Sequence, residues 1–297
     1  MGSFSWNLVT DIQEMWSLPF MLNAFRAGTI VAVLAAIVGW FMVLRRQSFA
    51  GHTLALVGFP GAAGAVWLGL SATAGYFVFC WAAALVMAVR PARADHSRSE
   101  ESALIGTVQA FALAAGMLFV GLYGGFLTGT TALLFGSFLG ITAAQVVALA
   151  VVAILALAVL GVIGRPLLFA SVDADVARAH GAPTRLLGVV FLLLLGTTAA
   201  EVSQITGALL VFALLVLPAA TAQALCARPA ISLVVSVGIG LLTVWVSLFV
   251  AYYSPYPVGF WLTTIGFAGY VAARAGVAAR ARVGRHSRRH RALEATV

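Results

Sequence analysis

Long apolar runs broken by short polar corners dominate the chain. Ala27–Leu44, Thr53–Leu70, Ala72–Val89 and Ser102–Tyr123 carry no charge. Each approaches the roughly 20 residues a helix needs to cross the hydrocarbon core. Thr130–Gly164 is also uncharged but too long for one crossing. Gly136 and Gly140 mark its first part, TALLFGSFLG, as a half-helix or re-entrant piece at 131–140, leaving Ala143–Ile163 as the next crossing. Leu186–Ala227 holds a single charge, Glu201, over 42 residues, so it reads as two crossings that turn near Glu201–Gly207. Ala230–Tyr253 and Val258–Ala273 complete the set, separated by the turn SPYP at 254–257. The pattern predicts an all-α polytopic membrane helical bundle of about nine transmembrane helices, with eight as the alternative count.

Composition agrees. The chain is 62% hydrophobic and 9% charged, with a mean hydropathy of +1.05; a soluble domain carries about 25% charged residues. All 17 basic residues are arginine, against nine acidic ones, which gives the net charge of +8. On a membrane protein such an excess reports orientation. With the N-terminus outside, 16 of the 17 arginines fall on the inner side: Arg45, Arg46, Arg90, Arg93, Arg98, Arg165, Arg178, Arg185, Arg228 and seven from Arg274 onward, leaving only Arg26 outside. This predicts a multi-pass protein of the plasma (inner) membrane with a cytoplasmic C-terminus and no nucleic-acid partner. Residues 1–23 read as an extracytoplasmic segment and 24–275 as the transmembrane domain. Residues 276–297 read as a basic, disordered cytoplasmic tail in contact with membrane lipids. Cys80 and Cys226 sit inside apolar runs without metal-ligand spacing and read as small core residues.

The inventory of chemistry begins with an absence. A phosphate-binding P-loop uses a lysine, and the chain contains none; no HExxH or GxSxG motif occurs either. An enzyme that hydrolyses ATP is therefore not expected, and no cofactor is expected on this chain. The loop at 165–185 is the longest inner loop apart from the tail. In it Asp173 or Asp175 caps a short helix, VARAH, which Gly181 and Pro183 end. Such a helix lies across the cytoplasmic face, either as a docking element for a soluble partner or as an ordinary interfacial loop.

The run GRPLLFASVDADVARAHGAPTRLL, followed by GALLVFALLVLPAATAQAL, resembles the permease subunits of ATP-binding-cassette importers of the zinc/manganese family. RRQSFAGHTLALVGFPG, ESALIGTVQAFALAAGM and LLFGSFLG extend the likeness in family order over residues 20–275. The resemblance implies a permease paired with a second copy or a related permease. It also implies cytoplasmic ATPase subunits, an extracytoplasmic metal-binding protein, and a divalent metal, zinc or manganese, as transported substrate. Asp173, Asp175, Arg178, His180, Gly181 and Pro183 then belong to the element that couples to the ATPase. In the family's second-span motif an aspartate follows glycine, and a histidine stands four residues later; here His52 occupies the first position and Leu56 the second.

With that pair absent, the metal-ligand candidates are His52 and Glu201, the only acidic residue in the apolar regions. Gln204 lies close to Glu201 in TTAAEVSQITG. Glu201 either lines the pathway or is solvated at the outer surface. Pro60 and Pro218 each free a backbone carbonyl, tolerable only against protein or a wet cavity, with Thr221 as a backbone partner near Pro218. Gly58, Gly61 and Gly64 allow close helix approach. Pathway lining and plain packing both account for them. A self-sufficient secondary transporter or channel is the alternative function, and a non-transporting scaffold a third.

Overall fold

The computed structural model describes residues 8–88, 98–123, 134, 136, 138–208 and 210–294. Its elements are α1 (Leu8–Ser17), α2 (Pro19–Leu44), α3 (Ser48–Trp67), α4 (Ala72–Ala88), α5 (Arg98–Tyr123) and a 3-10 turn (Phe138–Gly140), then α6 (Ala143–Val172), α7 (Ala174–Ala179), α8 (Thr184–Thr206), α9 (Val211–Leu225), α10 (Pro229–Tyr253) and α11 (Val258–Glu294). Local chemistry sets several starts. Pro19 and Pro229 open α2 and α10, where a missing N–H costs nothing. Thr142 and Gln145 form a reciprocal capping box at the start of α6.

Among the described residues seven helices are long and apolar enough to cross a membrane. The expected nine apolar segments all exist as helices, but α4 has 17 residues and α9 only 15. The turn expected near Glu201–Gly207 is found at the end of that stretch: α8 closes at Thr206 and α9 opens at Val211, with Thr206, Gly207 and Ala208 buried in the bundle. α6 runs on through Pro166 to Val172, so the first part of the expected loop at 165–185 is helix. α11 stays helical to Glu294, where a disordered tail was expected; alanine and arginine are strong helix formers and no proline intervenes. Half of the re-entrant piece expected at 131–140 lies outside the described residues, and its end, Phe138–Gly140, is the 3-10 turn.

α3 is the hub. Fifteen of its 20 residues are buried, as befits a helix that is apolar all round. It packs on α4, α5, α8 and α9. Nothing in lipid drives two apolar helices together by hydrophobicity, so close fit and polar links must do it. Gly61 and Gly75 press α3 against α4 so closely that a Cβ on either would overlap the other's carbonyl. Gly39 brings α2 to the Leu215 carbonyl of α9 in the same way. Hydrogen bonds reinforce α2 against α10: Trp40 Nε1 donates to Ser232 Oγ (2.9 Å), and Ser236 Oγ donates to the Ala36 carbonyl (3.1 Å). Around this centre α5, α6 and α11 turn large apolar side chains outward, among them Phe111, Met117, Ile154, Val162 and Phe267. Cys80 is buried and unbridged, Cys226 half-buried and unbridged.

Gly61→Val is expected to destabilise the protein by about 1–3 kcal/mol, read as a lower unfolding midpoint in detergent. Gly161→Val, where no atom lies within 4 Å of the new Cβ, is expected to stay within about 0.5 kcal/mol of the parent. Equal midpoints for the two variants contradict the close-packing account.

Candidate functional site

α8 ends where its backbone must turn within the bundle. Ser203 stands beside the middle of α3, its Oγ 3.4 Å from where a Cβ on Gly58 would lie. Gly207 then takes φ +74°, a left-handed value that favours glycine, and its N–H returns to the Ser203 carbonyl at 2.9 Å. Gly136, at φ +76°, lies directly against this break: a Cβ there would overlap the Ile205 carbonyl, and one on Gly207 would overlap the Leu134 carbonyl. Two backbones meet here with no room for side chains.

Glu201 lies less than two turns before the break. It is fully buried, and neither carboxylate oxygen has a hydrogen-bond partner. Of the two readings left open for Glu201, solvation at the outer surface does not match this burial. Glu201 borders a cavity of about 200 Å³ together with Thr73 and Phe77 of α4, Ile141 just before α6, Gln145 and Leu149 in its first two turns, and Gln204 of α8. Thr73 Oγ1 donates to Gln204 Oε1 (3.0 Å), and Gln204 Nε2 donates to the Ala200 carbonyl (3.3 Å). Asn23 Nδ2 donates to the Ile141 carbonyl (3.1 Å) and ties this rim to α2.

His52 occupies different surroundings. It is half-buried in the second turn of α3, edge-on to Phe212 of α9 at 4.8 Å between ring centroids, and its Nδ1 is buried without a partner. It is not among the residues that line the Glu201 cavity. Leu56, one turn on, is buried beside it. No group of three or more His, Cys, Asp or Glu side chains that could hold a metal ion occurs among the described residues. Pro60 and Pro218 both sit inside helices and are buried. Thr221 Oγ1 donates to the Leu217 carbonyl at 2.6 Å. That is its own i−4 partner, whereas the carbonyl freed by Pro218 belongs to Leu214.

At the opposite end of α8, Asp173 caps α7: its Oδ1 accepts from the amides of Asp175 (3.0 Å) and Val176 (2.9 Å). Asp175 is no cap but pairs with Arg178. His180 contacts the Val176 carbonyl through Nδ1 (2.9 Å) and meets Phe169 edge-on. Gly181 at φ +80° ends the helix, and Pro183 leads into α8. Arg45, at the end of α2, donates to Ser171 Oγ of α6 (3.1 Å) and lies over the Phe191 ring of α8. Three elements, α2, α6 and α8, are thus bound together beside α7.

Sequence reading missed Thr73 and Gln145. The capping-box spacing Thr142-x-x-Gln145 marks the start of α6, but nothing local tells that Gln145 faces a carboxylate 56 positions away.

The described residues form a polytopic helical bundle with a buried carboxylate near the turn after α8 and a short capped helix between α6 and α8. The chain belongs to the ABC 3 transport family, which it matches over residues 17–275. It is 31% identical over 238 residues to the chelated iron transport system membrane protein YfeC of Yersinia pestis, covering 80% of this chain and 78% of that one. It is 26% identical over 240 residues to the manganese transport system membrane protein MntC of Halalkalibacterium halodurans, covering 80% of both. Its fold matches that of PsaBC from Streptococcus pneumoniae in complex with Fab, with a TM-score of 0.79 at 24% identity over 90% of this chain and 95% of that one.

Asp173→Ala is expected to remove about 1 kcal/mol of capping from α7. The Asp175 and Val176 amides should then exchange with deuterium about fivefold faster, with Asp173→Asn near the parent. Unchanged exchange in the alanine variant rules out the cap.

Proposed function

We propose that this chain is the membrane permease of an ATP-driven importer of a divalent transition metal, manganese or zinc, worked by separate cytoplasmic ATPase subunits. The observation that carries the reading is the membrane bundle of the ABC 3 transport family with an unpartnered, fully buried Glu201 beside a broken helix. Relatives named for manganese and chelated-iron transport support the substrate class. The metal is cargo, and the chain holds no resident cofactor.

In this reading the chain makes nine crossings of the plasma membrane, α4 and α9 being the short ones, with the N-terminus outside and the arginine-rich end in the cytoplasm. It pairs with a second copy or a related permease and receives metal from an extracytoplasmic binding protein. The ATPase grips α7 and its flanks, Asp173 to Pro183, including the Asp175–Arg178 pair, His180 and Gly181. α8 starts at the far side of that grip and carries Glu201 near its other end. ATPase closure therefore acts on both ends of one stiff rod. His52, Glu201 and Gln204 line the pathway and handle the metal, while Pro60, Pro218 and Thr221 shape mobile helices along it.

In cells or proteoliposomes with the complete transporter, Glu201→Ala and His52→Ala are each expected to lower metal uptake about tenfold. Gly181→Pro, which forbids the left-handed φ, is expected to abolish uptake while the protein still inserts. The purified chain alone should move no metal. Uphill movement by the chain alone would make it a secondary transporter, and normal uptake by Gly181→Pro would refute the coupling role.

A further inference from the structure

α1 takes no part in the Glu201 cavity or in the coupling segment. It is a helix of 10 residues that packs on α2. A single extended residue, Leu18 (φ −92°, ψ 116°), separates the two. An extended residue ends one helical axis before the next begins, so α1 is a separate rod at the mouth of the first crossing. Its sides differ. Met15 is 1% exposed and forms the edge turned to the bundle. At 3.6 residues per turn, Ile12 and Trp16 stand about 60° and 100° round the helix from Met15. Gln13, Ser17 and Glu14 stand at about 160°, 200° and 260°. Ile12 is 39% and Trp16 60% exposed, and Gln13, Glu14 and Ser17 are exposed as well. An apolar side therefore lies next to the buried edge, and a polar side faces away from both. The charge is one-sided too: α1 carries Asp11 and Glu14, and no basic side chain occurs before Arg26.

We propose that α1 is an interfacial helix whose Ile12–Trp16 side rests in the headgroup layer of a zwitterionic lipid surface, with Gln13, Glu14 and Ser17 in water. Position and charge select this occupant. α2 is long and apolar enough to cross the membrane and starts one residue after Leu18, so α1 stays at the boundary. Phe20, in the first turn of α2, is exposed as well and carries apolar surface onward into the crossing. Tryptophan suits this depth, because its ring is apolar while its N–H reaches the wet headgroups. Helices that bind anionic membranes present lysine or arginine on the polar face. α1 presents carboxylates, which anionic headgroups repel, so the inserted apolar side alone supplies the binding. The proposal needs a multi-pass membrane protein and nothing more; it stands apart from the cargo and the ATPase. Its consequence is positional. Asn23, on the same end of α2, holds the Ile141 carbonyl at the rim of the Glu201 cavity, so the lipid contact of α1 sets the depth of that rim.

The test is spin labelling of the purified full chain in phosphatidylcholine nanodiscs, through Ile12→Cys, Glu14→Cys and Trp16→Cys made one at a time. Each is made with Cys226→Ala, while Cys80 is buried and closed to the reagent. Labels at positions 12 and 16 should sit about 5–10 Å inside the headgroup boundary, and their ratio of oxygen to nickel-complex collisions should exceed that at position 14 by at least about threefold. Replacing half of the lipid with phosphatidylglycerol should lower the ratio at positions 12 and 16, as the carboxylates are pushed off. Equal ratios at the three positions put the Ile12–Trp16 side in water and overturn the proposal. Dipolar broadening between labels at position 16 of two copies also overturns it, and makes this side a contact between copies. A ratio that stays level or rises in phosphatidylglycerol overturns the choice of zwitterionic lipid.

Discussion

Hydrocarbon offers a peptide group no hydrogen bond, so a backbone that enters it must satisfy itself. The described chain is helical almost throughout, and among its departures the turn between Thr206 and Val211 lies buried, Thr206, Gly207 and Ala208 included. That departure survives because it is wrapped in protein. The Gly207 N–H bonds back to Ser203, the Leu210 N–H bonds to the Gly207 carbonyl at 3.3 Å, and Gly136 lies flush against the turn. Just before this turn Glu201 and Gln204 lie beside a cavity at the end of one helix.

The cavity in turn depends on how α3 holds its partners. Gly61 against Gly75 and Gly58 against Tyr76 draw α4 onto α3. Gly196 of α8 fits against the Cys80 carbonyl of α4. With α4 fixed between α3 and α8, Thr73 reaches Gln204. The small residues of α3 therefore act at a distance, setting the spacing at which the polar side chains of α4 and α8 meet. α6 completes the wall with its first two turns and gives its outer face to lipid, where Val147, Val151, Ile154 and Leu155 are exposed.

The other end of α8 is organised by charge and capping. Asp173 is at once the end of α6 and the cap of α7, so no slack separates the two. Pro183 leads without an intervening loop into α8. Arg45 crosses from α2 to Ser171 and Phe191. A displacement of the 173–183 segment is thus delivered to α2, α6 and α8 together. α8, 23 residues long, spans about 35 Å at 1.5 Å per residue and ends at the cavity. The two halves of the proposed function share one helix.

Much of this was legible in the residues themselves. Apolar run length places the helices, Asp173 and Gly181 bound α7, and the glycines of α3 announce close packing, because all of these depend on chemistry within a few positions. The lone charge of Glu201 in 42 residues was enough to single it out. Other features were not legible. Gln204, three residues from Glu201, was legible beside it, whereas only the packing of α6 on α8 decides that Gln145 lines the same cavity. His52 and Glu201 looked like partners in one site, yet His52 turns to Phe212 while Glu201 turns to Thr73, Gln145 and Gln204. The chain's sequence determined where helices form and which residues are too polar for lipid, since those are free energies of single residues and short runs. The depth of the break at Gly207, and the company each polar side chain keeps, were decided by tertiary structure, because they depend on which helix faces press together across hundreds of intervening atoms.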